Sequence, residues 1–280
     1  MSSELAEASL SREDFAHVAA LAHARAGLVV REEKAVMVSG RLARRARALG
    51  LPDLAAYCRL LRGPEAEAEI PHFINALTTN HTAFFRERHH LEHLWSEVMP
   101  KVASAARDPR GWVRLWSAAC STGEEPYSMA AAVRRALGAG PLPGLRILAT
   151  DVDTEVLATA RRARYAVAAL DEVPGEWRKL LAPAIGRSDA TFEIPAELTE
   201  LVAFRHLNLI DPWPMRTGYE AIFCRNVFIY FDAATKARIV DRFAELLRPG
   251  GYLYLGHTEF LTTRHPLLES VGRTIYRRRP

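Results

Sequence analysis

Apolar and polar positions follow two rhythms along the chain, and the change from one to the other comes near Asp108-Pro109-Arg110-Gly111. Before it, apolar residues recur three and four apart, as on a buried helix face. Ser11 and Asp14 supply an N-cap and an acidic first turn ahead of Phe15, Val18, Ala19, Leu21 and Ala22, and Gly27 marks the stop. A second helix is predicted from about Glu32 through Val36, Met37 and Leu42 to Leu49, closed by Gly50. A third covers Leu54 to Leu61 before Gly63-Pro64, and Glu65, Glu67 and Glu69 open a fourth. Thr78, Thr79, Asn80 and Thr82 then favour a break and a new helix start. Phe84, Phe85, Leu91 and Leu94 pack that helix, with Arg86 in its first turns.

After the change, strands alternate with helices. Strands are predicted at 113–117, 146–150, 202–206, 219–224 and 251–256 and near 274–278, with helices at 126–137, 154–162 and 233–247. Such alternation implies a mostly parallel sheet covered on both faces. The stretch from Ala163 to Leu207 is too long for one crossover, and TFEIPAEL followed by VAFRHLNL suggests short antiparallel strands, an insert placed at about 180–207. The expected organisation is a helical domain over 1–75, a linker and first helix over 76–110, and an α/β domain over 111–280.

Composition narrows the class. Of 280 residues, 49% are hydrophobic and 25% charged, as in a soluble globular protein. Charged residues or proline interrupt every apolar run short of a membrane span, and the acidic N-terminus lacks a signal-peptide pattern. Cys58, Cys120 and Cys224 are scattered, which argues against a disulfide framework or a zinc site. A reduced, cytoplasmic protein is the expectation. His89 and His93 lack a third ligand, so no metal is expected. The net charge of +4 is too small to indicate nucleic acid, but from Lys34 to Arg62 seven basic residues face one acid, Asp53. Arg41, Arg44 and Arg45 share a helix face, either for an acidic partner or as a solvated surface.

The candidate chemistry centres on VRLWSAACSTGEEPYSM, residues 113–129: a buried strand, a loop of small side chains, then a helix start. Small side chains let a ligand approach the backbone, although an ordinary βα connection has the same pattern. No G-x-G-x-x-G is present, and Glu124 and Glu125 would repel a pyrophosphate and suit a cation. Ligands on open α/β sheets sit beyond the carboxyl ends of the strands, which selects Ser121 to Glu125, Asp151 and Asp153, Asn208, Arg225-Asn226-Val227 and His257-Thr258-Glu259. Asp151 ends its strand where an acid accepts ribose hydroxyls, and Asp153 suits an N-cap. These features describe a site for adenosine bearing a cationic amino-acid tail, as in S-adenosylmethionine.

LTTNHTAFFRE (77–87), WSAACSTGEEPYSMA (116–130), ATDVDTEVLATAR (149–161), IFCRNVFIYFD (222–232) and LLRPGGYLYLGHTE (246–259) resemble, in order and spacing, the CheR family of chemotaxis receptor glutamate O-methyltransferases. The resemblance implies a Rossmann-like, S-adenosylmethionine-dependent methyltransferase sheet with a small antiparallel β insert, preceded by an all-α domain. It implies that Asn80, Thr82 and Arg86 line the cofactor pocket from the linker, Glu125 holds the methionine amino group with Glu124 a lesser candidate, and Asp151 holds the ribose. Asn208 with Leu209 and Asn226 with Val227 flank adenine and methionine, while Arg86 and Tyr230 lie closest to methyl transfer, which leaves S-adenosylhomocysteine. The helix of Arg41, Arg44 and Arg45 resembles the element that lies on the helical bundle of a methyl-accepting receptor, and a monomer acting off the membrane is implied. Members that dock on a receptor's C-terminal pentapeptide have a glycine-richer loop than LAPAIGRSDATFEI (181–194), so no such tether is expected. Nucleic acid as substrate is disfavoured, because Asn226-Val227-Phe228-Ile229-Tyr230 lacks the Asn-Pro-Pro-aromatic pattern that holds a flipped base. A non-catalytic module that binds the cofactor is the other alternative.

Overall fold

The computed structural model describes residues 9–184, 186, 190–216, 218–261 and 264–280. Helix α1 (Arg12–Ala26) starts where Ser11 Oγ accepts the amide of Asp14, and stops at Gly27, whose φ of 71° turns the chain left-handed. A 3-10 turn (Glu32–Lys34) leads into α2 (Ala35–Ala48), Asp53 caps α3 (Leu54–Arg62), and α4 (Ala66–Leu77) follows. Val18, Leu42, Tyr57, Cys58 and Phe73 are fully buried between these helices and form their core.

One ionic cluster sits in that core. Arg45 grips Glu69 through two hydrogen bonds of 2.7 and 2.8 Å, and the Tyr57 hydroxyl donates to the same carboxylate at 2.9 Å. Burial alone would raise the Glu69 pKa, but these donors outweigh it and hold the carboxylate below its ordinary range. Arg41 donates to the carbonyls of Leu77 and Thr78, closing the C-terminal end of α4. Arg41, Arg44 and Arg45 therefore do not form one outward face. Two of the three are engaged inside the domain and only Arg44 is exposed.

The linker corrects a second expectation. Arg86 precedes a helix rather than starting one: it lies in a turn in which Phe85 and Glu87 have φ of 55° and 52°, and α5 begins only at Arg88 (Arg88–His93). Threonine and asparagine favour such a break, but two left-handed residues flanking an arginine leave no signal in residue type. A π turn (Leu94–Val98) joins α5 to α6 (Met99–Arg107).

The remaining elements, in chain order, are β1 (Val113–Ala118), α7 (Glu124–Leu137), β2 (Leu145–Asp151), α8 (Thr154–Arg162), β3 (Arg164–Ala166), α9 (Gly175–Leu181), β4 (Thr191–Glu193), α10 (Ala196–Thr199) and β5 (Val202–His206). Then come β6 (Tyr219–Cys224), α11 (Ala233–Leu246), β7 (Leu247–Leu255), β8 (Leu268–Gly272) and β9 (Ile275–Arg278). The seven-stranded sheet runs β5-β2-β1-β6-β7-β9-β8; the first five strands are parallel and the last two pair antiparallel. Its order reverses between β1 and β6, so the loops after those two strands flank the topological switch point.

The insert is a two-stranded antiparallel sheet of β3 and β4, so it starts near Ala163 rather than 180. Val202–His206 is not part of it: β5 pairs parallel with β2 at the edge of the main sheet. Of the loop expected to lack a pentapeptide tether, residues 185 and 187–189 lie outside the described residues.

Replacing Arg45 with alanine leaves the Glu69 carboxylate buried without its cation. We expect a loss of about 3 kcal/mol in urea unfolding monitored by circular dichroism, whereas Arg44→Ala changes stability by less than about 0.5 kcal/mol.

Candidate active site

A cleft of about 940 Å³, counting its open mouth, lies where the helical domain meets the carboxyl ends of β1, β2, β5 and β6. Its lining brings together Asn80, Thr82 and Arg86 from the linker, Glu125 and Asp151 from the first two strand ends, Asn208 and Leu209 after β5, and Asn226, Val227 and Tyr230 after β6. Glu124 does not line it; its carboxylate accepts from Thr122 Oγ1 instead. Of the two glutamates that open α7, only Glu125 faces the cleft.

The loop after β1 is strained. Ala119 and Ser121 have φ of 66° and 50° beside Gly123 at 100°, so two residues with a Cβ hold a conformation that glycine favours. Ser121 is fixed there by two bonds: its amide donates to Asp151 Oδ2 at 2.8 Å, and its hydroxyl donates to the Asn80 carbonyl at 2.9 Å. The only glycine of the loop, Gly123, packs against the insert, where an added Cβ would come within 2.7 Å of the Tyr165 hydroxyl.

The two carboxylates are treated differently. Glu125 Oε1 accepts from Ser117 and Oε2 accepts from Arg225 Nε at 2.7 Å, in an ion pair almost wholly withdrawn from solvent. Arg225 also donates from Nη1 to the Arg86 carbonyl at 2.6 Å. Asp151 has no such cation among the described residues. Burial pushes its carboxyl up to about 6, and the amides of Asp153 and Ser121 offset only part of that rise.

Asp153 joins the linker to the sheet. Its Oδ1 accepts the amides of Glu155 and Val156 at the start of α8, while Oδ2 accepts from Thr78 Oγ1 and Asn80 Nδ2. The Asn80 amide group thus holds the linker in place, and its carbonyl holds Ser121. Asn208 similarly donates to the Arg25 carbonyl at the end of α1. Polar side chains that line the cleft are also the ones that join its walls.

Sequence reasoning assigned no role to Arg225 or Glu259. The buried Glu259 carboxylate accepts the amides of Asn226, Phe228 and Gly256 at 2.7 to 2.8 Å. It holds the loop after β6, in which Asn226 takes a left-handed φ of 61°. The place of Glu259, just past a strand end, was the only available signal, because backbone acceptor duty does not show in residue type.

The description of the CheR methyltransferase all-alpha domain matches residues 13–78, and that of its S-adenosylmethionine binding domain matches residues 80–277. The chain belongs to the CheR methyltransferase family. It is 41% identical over 270 residues to a chemotaxis protein methyltransferase of Salmonella typhimurium, covering 96% of this chain and 91% of that one. It is 41% identical to chemotaxis protein methyltransferase 2 of Pseudomonas aeruginosa, covering 95% and 93%, and 40% identical to a probable chemotaxis protein methyltransferase of Rhizobium etli, covering 90% and 94%.

The cofactor of the CheR family domain is S-adenosylmethionine, and the cleft suits it. Glu125 and Asp151 provide acceptors for an ammonium and for vicinal hydroxyls. The small Ala119-Cys120-Ser121 backbone permits close approach, and Leu209, Val227 and Phe231 give apolar walls for a flat base.

Because Asp151 is pushed up to about 6, it accepts hydrogen bonds as a carboxylate above that pH and gains a proton below it. Calorimetric affinity for the cofactor is expected to fall as pH is lowered from 7 to 5. Asp151→Asn should bind about tenfold to a hundredfold more weakly at pH 7 and lose that pH dependence.

Glu259→Gln turns a donor toward backbone donors. We expect about tenfold weaker cofactor binding by calorimetry, while Glu124→Gln stays within about twofold.

Proposed function

We propose that this chain transfers the methyl group of S-adenosylmethionine to glutamate side chains on the cytoplasmic helices of chemotaxis receptors, giving methyl esters. The observation that carries this reading is the state of Arg86 at the mouth of the cleft. Its guanidinium makes one hydrogen bond, from Nη1 to the His81 carbonyl at 2.9 Å, and no ion pair among the described residues. The remaining donors of that planar fork match a carboxylate in two-point contact. The names of the relatives, chemotaxis protein methyltransferases, support the same reading.

When bound, the cofactor supplies an electrophilic methyl carbon on a positively charged sulfur. The residues of the chain have a positional task. A glutamate side chain, with an ordinary pKa of about 4.3, is already ionised near neutral pH, so its attack requires no general base. Consistent with that, the buried His90 is pushed down to about 2, first by loss of hydration and then by the charge of Arg225, which leaves it neutral. Glu125 and Asp151 fix the donor from inside, Arg86 orients the acceptor carboxylate, and Tyr230 guides it. The Tyr230 hydroxyl lies 3.5 Å from the Thr79 carbonyl across the mouth. Leu28, Leu77 and Phe231 keep water from the walls. Alignment of this kind contributes up to about 7 to 11 kcal/mol in the best model reactions.

Docking of the receptor is proposed for α2, on a face that differs from the sequence-based one. Val36, Met37, Gly40, Arg44 and Arg47 form an exposed stripe, with Val36 85% accessible. Lys34, just before α2, places its ammonium 5.7 Å from the Tyr230 ring centroid, so the stripe leads to the mouth. Apolar residues bordered by arginine suit an acidic amphipathic helix.

The test is incubation with methyl-labelled cofactor and purified receptor cytoplasmic fragments. Base-labile label on glutamates supports the proposal; label on nucleic acid, or cofactor binding without transfer, overturns it. Arg86→Lys should lower kcat about a hundredfold at saturating cofactor with cofactor Kd within about threefold, because lysine cannot reproduce the fork. Paired Arg44→Glu and Arg47→Glu changes should raise KM for the receptor fragment about tenfold and leave cofactor Kd unaltered.

A further inference from the structure

A second concavity lies beside the mouth, between one face of α11 and the chain that follows β7. Its volume is about 1160 Å³ counting its open side. Phe228, Val240, Leu261 and Pro266 contribute apolar surface to its walls, while Ile229 and Phe260 are 57% and 58% accessible. Two large apolar side chains more than half in water on one groove mark a contact surface rather than a core defect. The groove also presents two cations. Lys236 and Arg264 line it and make no ion pair among the described residues. Of its two acids, the Glu259 carboxylate is turned inward onto backbone amides, and Asp241 shares a hydrogen bond of 2.9 Å with His265.

The groove is continuous with the mouth of the cleft. Phe228, Ile229 and Tyr230 form one 3-10 turn; Tyr230 lines the cleft, and Phe228 and Ile229 line the groove. Neighbouring Cα atoms are about 3.8 Å apart, whereas one helical turn advances about 5.4 Å. A helix that presents a glutamate at Tyr230 and runs toward Ile229 places its next turn at the groove.

We infer that this groove is the second docking surface for the protein substrate. It receives the part of the acidic amphipathic helix next to the methylated glutamate, with that helix's apolar side chains on Ile229 and Phe260 and its carboxylates toward Lys236 and Arg264. The inference rests on the proposed receptor methylation and extends it. The substrate is held by two surfaces that both adjoin Tyr230, the α2 stripe through Lys34 and this groove through Ile229. Two such contacts beside one reacting position restrict which glutamate reaches Tyr230, so the groove contributes to the choice of site as well as to affinity.

The test uses the full chain, methyl-labelled cofactor and a receptor cytoplasmic fragment. One variant carries Ile229→Ser with Phe260→Ser, and a second carries Lys236→Glu with Arg264→Glu; calorimetric cofactor affinity reports whether each is folded. We expect KM for the fragment to rise about tenfold in each, with kcat and cofactor Kd within about twofold, and peptide mapping to show label spreading to other glutamates. The KM of the unaltered protein should rise with salt, and that dependence should weaken in the charge-reversed variant. Should the serine variant lose cofactor affinity, the charge-reversed one decides. Unchanged KM alongside efficient methylation by the unaltered protein overturns the groove and leaves the proposed function standing. No methylation by the unaltered protein overturns both. Concentration-dependent dimerisation in sedimentation that Phe260→Ser abolishes assigns the groove to a second copy of the chain and also overturns the inference.

Discussion

The buried ion pair between Arg225 and Glu125 is the constraint around which the site is arranged. Glu125 enters from α7 and Arg225 from the end of β6, the two elements on either side of the switch point, and both side chains are almost wholly inaccessible. Withdrawing two charges from water is costly unless each finds its full set of partners. Ser117 takes the second oxygen of Glu125, and the Arg86 carbonyl takes another donor of Arg225. One guanidinium thus couples a carboxylate that lines the cleft to the backbone of the arginine at its mouth. The Arg86 turn, with left-handed residues on both sides, is held from behind by this bond.

A similar economy of contacts joins the two domains. Asp153 caps α8 and receives Thr78 and Asn80, Asn208 reaches the end of α1, and the Val29 amide donates to the Tyr230 carbonyl at 2.8 Å. The cleft lies between these ties, so neither domain forms it alone. Strain is concentrated in the same place: Phe85, Glu87, Ala119, Ser121 and Asn226 all have positive φ, and each lies within or beside a loop that borders the cleft. Left-handed L-residues cost roughly 1 kcal/mol or more each, and persist only where surrounding bonds fix them. Here Ser121 is held by Asp151, Asn226 by Glu259, the Phe85 amide by Ser128, and the Arg86 carbonyl, between Phe85 and Glu87, by Arg225.

Much of this was legible in the sequence, for identifiable reasons. The helices follow from caps and apolar spacing: Ser11 and Asp153, both read as N-caps, accept amides at helix starts, while the cap at Asp53 emerges only in the structure. β6 and α8 fall at their predicted bounds because an apolar run and an N-cap are strong local signals. What failed was long-range. Whether Val202–His206 joins β2 or the insert depends on partners far away in sequence, and strand character alone does not decide it. The charge of Arg45 suggested a partner surface, yet its partner, Glu69, is internal. Periodicity placed Arg41, Arg44 and Arg45 together, while the packing of α4 against α2 decides which of them reach water. In the cleft the residue types were readable because a cation-bearing ligand requires acids at strand ends. Arg225 was selected by its place after a strand, but its role was not readable, since it neutralises an acid already assigned to the ligand.

On the proposed reaction, the charges within the cleft account for a cationic donor and an anionic acceptor in one site. Glu125 retains lone pairs for an ammonium even with Arg225 bound, because each carboxylate oxygen accepts more than one bond. Arg225 offsets its negative charge, so the interior is not so anionic as to repel an approaching carboxylate. Arg86, one bond away from the same network, places a separate positive charge at the mouth. The network therefore holds one acid, Glu125, balanced by Arg225, and a second cation, Arg86, at the mouth. An acidic side chain entering past Tyr230 meets a cation first and the acid behind it only after that acid has been paired. On the proposed reaction, transfer from a sulfonium to a carboxylate consumes both of their charges, and the buried pair of Glu125 and Arg225 stays balanced before and after the step.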